Sequence, residues 1–285
     1  MNDAYPINAC LLPSLLREIP DAPEKLFIRG ELPNETYKLL TIVGSRKYTP
    51  YGKQVCEKLI QGLKGYPVCI VSGLALGIDG IAHKSALHSG LPTVAVPGSG
   101  LSDRVLYPKT HFQLASDILK NGGALLSEFE PEHKARPENF PQRNRVMAGM
   151  SHAVLVIEAE LRSGTLITSR LAVEYNRDVC TVPGPIHSDT AEGPHLLIRN
   201  GATLIRSSAD ILEVLGIEEK LETSTEDTIL GPRESHVRAL LIDRPLRRDE
   251  LIAQLGISVS EANMLLSSLE LKGLITEQLG VILWE

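Results

Sequence analysis

Apolar residues along this chain fall in short continuous runs rather than in polar–apolar alternation. Residues 39–43, 68–71, 93–96, 124–126, 153–157 and 179–182 are rich in Val, Ile or Leu, and each run ends near Gly, Ser, Pro or Glu. Segments with helical character lie between most of them, at residues 51–63, 77–89, 110–120 and 163–176. Continuous apolar strands alternating with helices predict an α/β fold whose mainly parallel sheet is covered on both faces. In such a sheet the ligand sits at the carboxyl ends of the strands, where the strand order reverses.

Small and polar residues collect at those ends. The first run is followed by Gly44-Ser45-Arg46 and the second by Ser72-Gly73, with Gly77 and Asp79 beyond. The third ends in Pro97-Gly98-Ser99-Gly100, the fifth in Glu158-Ala159 and then Ser163-Gly164-Thr165, and the sixth in Pro183-Gly184-Pro185. Glycine lets backbone amides approach a ligand closely. A helix beginning at Ser163-Gly164-Thr165 offers N–H groups and a positive dipole end to an anion.

The segment Phe140-Pro141-Gln142-Arg143-Asn144-Arg145 stands ahead of the buried run 153–157 and reads as connecting chain. It brings one aromatic ring, two guanidiniums and an amide to the same rim. A ring for stacking and cations for phosphates are what sequence-independent binding of a nucleic-acid strand requires. An isolated Arg pair would read as surface charge; its place beside the glycine-rich turns makes it part of a phosphate-binding edge.

Charge supports this only locally. The 285-residue chain carries a formal net charge of −6, with 43% hydrophobic and 22% charged residues, as expected for an ordinary globular protein. Residues 36–215 nevertheless hold 19 Lys and Arg against 16 Asp and Glu. The acidic excess lies in residues 1–35, 216–227 and 228–285.

Several chemistries are excluded by pattern. No G-x-x-x-x-G-K-[ST] occurs, so nothing points to a P-loop or to ATP hydrolysis. Gly98-Ser99-Gly100 opens like a dinucleotide fingerprint, but Asp103 stands where the third Gly belongs, so no nicotinamide cofactor is expected. No cofactor and no metal site are expected, because neither the histidines nor the four cysteines (Cys10, Cys56, Cys69, Cys180) show ligand spacing. Cys56, Cys69 and Cys180 lie in apolar patterns and read as buried free thiols. With neither a signal-peptide pattern nor a membrane-length apolar run, a cytoplasmic protein is expected.

Taken in order, Val43-Gly44-Ser45-Arg46, Ser72-Gly73-Leu74-Ala75, Gly77-Ile78-Asp79, Tyr107-Pro108, Phe140-Pro141, Arg143-Asn144-Arg145, Ser163-Gly164-Thr165 and Val182-Pro183-Gly184 resemble the DNA-processing protein A (DprA/Smf) family. The resemblance covers about residues 25–212; one departure is Pro97, where Leu is common. It implies an extended Rossmann-like domain that binds single-stranded DNA, protects incoming strands in natural transformation and helps load the RecA recombinase. It also implies a homodimer and no catalysis. By motif, Gly44, Ser45 and Arg46 would line a phosphate pocket with Ser72, Gly73 and Gly77 beside it. Phe140 would lie near a base, Arg143, Asn144 and Arg145 would hold backbone or pocket geometry, and Ser163, Gly164 and Thr165 would give the helix N-terminus. Asn144 and Asp79 could bond internally or touch the strand, and Glu158 is expected to orient Arg143 or Arg145.

The alternative is an enzyme. Nucleotide phosphoribohydrolases share such sheets and place an acid just after the Thr of a G-x-G-T turn. Here Thr165 is followed by Leu166, Ile167, Thr168 and Ser169, and Glu174 is the next acid.

Four segments are expected: a lead-in at 1–35, irregular or helical at its start; the Rossmann-like domain at 36–215; an acidic linker at 216–227; and a winged-helix domain at 228–285. The last rests on helices at 234–241, 248–254 and 258–272 and a hairpin around Gly280. Its third helix carries Glu261 and Glu270 against Lys272, which suits a protein-contacting or stabilising role better than DNA reading.

Overall fold

The computed structural model describes residues 4–8, 12–219, 231–242, 244–278 and 280–284, in two compact units spanning Met1–Glu219 and Lys220–Glu285. Cys10 and most of the acidic linker lie outside the described residues. Among the described residues no helix is long and apolar enough to cross a membrane.

The first unit is built on a nine-stranded sheet. Its strands are β1 (Tyr5–Asn8), β2 (Lys25–Gly30), β3 (Lys38–Val43), β4 (Val68–Ser72), β5 (Thr93–Ala95), β6 (Ala124–Ser127), β7 (Ala153–Val156), β8 (Asp178–Thr181) and β9 (Thr203–Leu204). Their spatial order is β1-β2-β6-β5-β4-β3-β7-β8-β9. From β6 across to β9 every pairing is parallel. The chain steps outward from β3 to β6, then returns to the other side of β3 as β7. The order therefore reverses between β3 and β7, which opens a crevice above their carboxyl ends.

Helices cover both faces. Leu39, Val71, Val94 and Val154 pack on one side with α1 (Ser14–Arg17), α5 (Asn139–Met150) and α6 (Thr165–Glu174). On the other side, Leu40, Ile42, Ile70 and Leu155 pack with α2 (Pro50–Gln61), α3 (Ile78–His88) and α8 (Ser208–Val214). A further cluster seats α4 (Phe112–Lys120) on Ala95 and Leu125, and α7 (Glu192–Arg199) follows β8. Burial on two faces is why these strands read as unbroken apolar runs. Cys56, Cys69 and Cys180 are buried free thiols; burial pushes all three thiols up, that of Cys180 to about 12.

Two expectations change. The early lead-in contributes to the sheet: β1 pairs antiparallel with β2, and β2 antiparallel with β6. Pro6 is tolerated because β1 is an edge strand. Leu16 and Ile19 pack so closely on Gly149 of α5 that a Cβ there would meet both. The segment 140–145 is helical, the first half of α5. Pro141 sits in its first turn, where a missing N–H costs nothing.

The second unit contains α9 (Pro232–Ile242), β10 (Leu246–Arg247), α10 (Arg248–Leu255), α11 (Val259–Leu271), β11 (Ile275–Gln278) and β12 (Val281–Trp284). Its three strands run in the order β10-β12-β11, a winged helix closed over Val237, Leu251, Leu266, Leu269 and Ile282. Two charges at the ends of α11 are occupied locally. Glu261 caps the helix with Ser258 and pairs with Arg233, and Lys272 pairs with Glu234.

Candidate nucleic-acid interface

A cavity of about 380 Å³ occupies the crevice where the strand order reverses. That volume is in the range of sites that enclose a small ligand. Three elements wall it: the turn after β3 (Gly44, Ser45, Arg46, Lys47), the inner face of α5 (Phe140, Arg143, Asn144, Met147) and the start of α6 (Ser163, Gly164, Thr165, Thr168). Ala75, Asp79 and Glu160 complete it.

The face of α5 follows from helical spacing. Phe140, Arg143, Asn144 and Met147 recur at i, i+3, i+4 and i+7 and share one side. Arg145 points elsewhere. It bonds the carboxylate of Glu128 and the carbonyl of Asp21, with Asp21 Oδ2 at 3.8 Å, and does not line the cavity. It anchors α5 to β6 and the N-terminal segment instead of lining the rim. Glu158 also departs from expectation. It accepts from the N–H of Thr49 at 2.9 Å, from the Thr49 hydroxyl and from Thr190, so it fastens the start of α2 rather than an arginine.

The cavity floor is a buried polar network. Arg143 is only 5% exposed. Its Nη1 donates to the carbonyls of Gly73 and Val96, and its Nε donates to Asn144 Oδ1 at 3.1 Å. Gly73 must lack a side chain because a Cβ would collide with this guanidinium. Asn144 Nδ2 donates to Gly164 at 3.4 Å, and Gly73 N donates to Asp79 at 3.1 Å. Asn144 and Asp79 thus bond internally and also line the cavity. Burial pushes Arg143 down to about 10, against the pull of Asp79, so it keeps its charge at neutral pH. Burial raises the Asp79 carboxyl, opposed by Arg143 and by N–H donation from Ala75 and Gly73.

The mouth differs in kind. Arg46 and Lys47 are exposed. The Arg46 guanidinium stands 5.3 Å from the centroid of the Phe140 ring, and Tyr107 tilts against Phe140 at 5.8 Å. Arg46, Tyr107, Phe140 and Leu76 form a shelf beside the cavity. Ser45 shapes the turn: its hydroxyl accepts from Lys47 N at 3.0 Å and donates to the Lys47 carbonyl at 2.9 Å. Gly77 has φ +83°, and a Cβ there would collide with the Ser45 carbonyl. Thr165 ties α6 to β3 by donating to the Gly44 carbonyl at 3.2 Å.

Two expected features are not cavity groups. Ser72 is fully buried and donates to the Ile42 carbonyl at 2.6 Å, joining β4 to β3. The first N–H groups of α6 are largely used internally: Thr165 N bonds the Ser163 hydroxyl, Leu166 N the Ser163 carbonyl and Ile167 N the Gly164 carbonyl. The helix contributes its dipole more than free donors. Lys47 and Tyr107 went unnoticed as site residues. Lys47 had a signal, a cation adjoining Arg46 after the strand, and Tyr107 stood in the Tyr107-Pro108 motif, although its tilt against Phe140 is a tertiary contact.

Comparison with known proteins places this architecture. The family model described as DNA recombination-mediator protein A matches residues 5–216, and the model described as DprA winged helix domain matches residues 222–280. Protein Smf of Escherichia coli strain K12 is 39% identical over 260 residues, 91% of this chain and 67% of that protein. The X-ray structure of DNA processing protein A from Streptococcus pneumoniae aligns with TM-score 0.70 and 41% identity, covering 76% of this chain and 75% of that one. DNA processing protein A from Helicobacter pylori, described for a unique single-stranded DNA binding mode, aligns with TM-score 0.65 and 28% identity over 74% of this chain and 95% of that one. With one model spanning the sheet unit and another the winged helix, the chain belongs to the DNA recombination-mediator protein A family.

Proposed function

We propose that the chain binds single-stranded DNA without reading its sequence, through the cavity between β3 and β7, and acts as a recombination mediator. One observation carries this reading. An exposed Arg46 lies over the ring of Phe140 at the mouth, above the buried Arg143. Arg46 and Lys47 pair with backbone phosphates, Phe140 and Tyr107 offer faces to bases, and Arg143 with Asn144 holds the walls in place. Stacking and phosphate pairing are common to every nucleotide, so the site has no means of preferring one base.

The finer parts of the reading are protection of incoming strands, delivery to a RecA recombinase, a homodimer and the absence of catalysis. They draw support from family membership. The buried thiols fit a reducing, cytoplasmic setting. Against the hydrolase alternative, Glu174 lies at the far end of α6 from Thr165. The test compares a 20-mer oligo-dT, its duplex with oligo-dA and free dTMP, measuring binding and release of thymine. Binding of the single strand with intact dTMP is expected; thymine release would favour the hydrolase, and preference for duplex would contradict strand binding.

A further inference from the structure

A second groove lies on the opposite side of the cavity from the Phe140–Tyr107 shelf. It is walled by Pro50, Tyr51, Val182, Pro185 and Pro194, with Glu158 among its lining residues, and has a volume of about 210 Å³. That is below the roughly 300–1,000 Å³ of pockets that enclose a whole small ligand, so it suits a single ring. Its walls are mainly apolar, and its polar lining residues, Thr49, Glu158, Ser188 and Thr190, are bonded among themselves with Glu158 only 4% exposed, so it offers a phosphate no cation and tolerates an uncharged planar group.

The groove is built rather than incidental. The Tyr51 hydroxyl donates to the Pro183 carbonyl at 2.7 Å, which holds the ring in place while it stays 41% exposed. Next to Pro185 in the chain, Ile186 is 80% exposed, a large apolar side chain left in water. The groove adjoins the cavity along two chain segments, Glu158 lining the groove and Glu160 the cavity on one of them. Arg46 and Lys47 line the cavity, Thr49, Pro50 and Tyr51 line the groove, and exposed Tyr48 lies between them.

Resting on the proposed strand binding, we infer that this groove takes the base of a nucleotide flanking the one in the cavity, stacked on Tyr51 and covered by Ile186. Lys47 then pairs with the phosphate joining the two nucleotides. The strand crosses the carboxyl edge of the sheet from the Phe140–Tyr107 shelf over the cavity to Tyr51. Because every base has a planar face, this second seat adds affinity without adding sequence preference.

The experiment uses the full chain, wild type and the variants Tyr51→Ala, Tyr51→Phe and Ile186→Ala, against oligo-dT from 2 to 12 nucleotides and a 12-mer carrying one 2-aminopurine. Tyr51→Ala is expected to weaken the 12-mer about tenfold and to abolish the part of the 2-aminopurine quenching that wild type shows. Tyr51→Phe keeps the ring and is expected to stay near wild type. Ile186→Ala, at an exposed position that folding does not need, is expected to weaken the 12-mer by a smaller factor. The shortest oligomers, filling the cavity alone, are expected to bind all variants equally. Unchanged affinity and quenching in Tyr51→Ala and Ile186→Ala overturn the groove while leaving the cavity standing. Wild-type chain that binds no oligomer overturns both.

Discussion

Arg143 and Asp79 illustrate what residue identity does at the cavity floor. Each is costly to bury alone, and each lowers the cost of the other. They are fixed by backbone carbonyls and amides rather than by a mutual salt bridge, so the floor is rigid and already polarised. His83 is the neighbouring group with a clear pH signature. It is fully buried, with Nδ1 2.7 Å from the Thr93 hydroxyl, and burial together with His111 depresses it to about 3 from an ordinary 6.5. The folded state therefore prefers the neutral ring. This contribution is intact above pH 6.5 and is lost as pH falls toward 3, at roughly 1.4 kcal/mol per unit. Urea unfolding at pH 7, 6 and 5 should show that decline, and His83→Gln should flatten it. An identical decline in the variant would assign the proton uptake elsewhere, with half-buried His152, depressed in the same direction, the next group to test.

At the scale of elements, the turn from β4 into α3 governs the site. Leu74 sits buried at φ +58° and Gly77 at φ +83°, so two residues of one short turn occupy left-handed backbone. The turn brings Gly77 against Ser45 and Arg46, which sets where the Arg46 side chain leaves the backbone. Gly77→Ala should destabilise the fold by about 2 kcal/mol or more and weaken oligo-dT binding as well. Wild-type stability in chemical denaturation would show that the turn absorbs a Cβ. This turn was legible as Gly-Leu-Ala-Leu-Gly after an apolar run, and the parallel strands were legible because burial on both faces leaves them uninterrupted. Helix α5 was hidden, since Pro141 and the arginines resemble connecting chain until its i, i+3, i+4 spacing meets a partner surface. Strands β1 and β2 were hidden because an antiparallel edge takes its pattern from β6, a tertiary neighbour. The separate duties of Arg143 and Arg145 follow from that same missed helix: two positions apart on a helix, they face different ways.

For the whole molecule, the sheet unit contains every group of the cavity, its shelf and the second groove. In the winged-helix unit, Arg233, Arg248 and Lys272 are tied to Glu261, Glu277 and Glu234. The exposed residues of α11 include Val259, Ser260, Met264 and Ser267, a poor surface for phosphates. Deleting residues 228–285 should leave most single-strand affinity in place, and its loss would assign strand binding to the winged helix.

The central claim, that Arg46 pairs with a strand phosphate at the mouth of a preformed cavity, is tested most directly by salt-dependent oligo-dT affinity of wild type and Arg46→Ala. Wild-type affinity should fall steeply with salt. The variant should bind about 1–3 kcal/mol more weakly at low salt, with a log–log slope shallower by about 0.7 to 1. A flat wild-type salt dependence, or an Arg46→Ala variant with unchanged affinity and slope, would contradict the assignment.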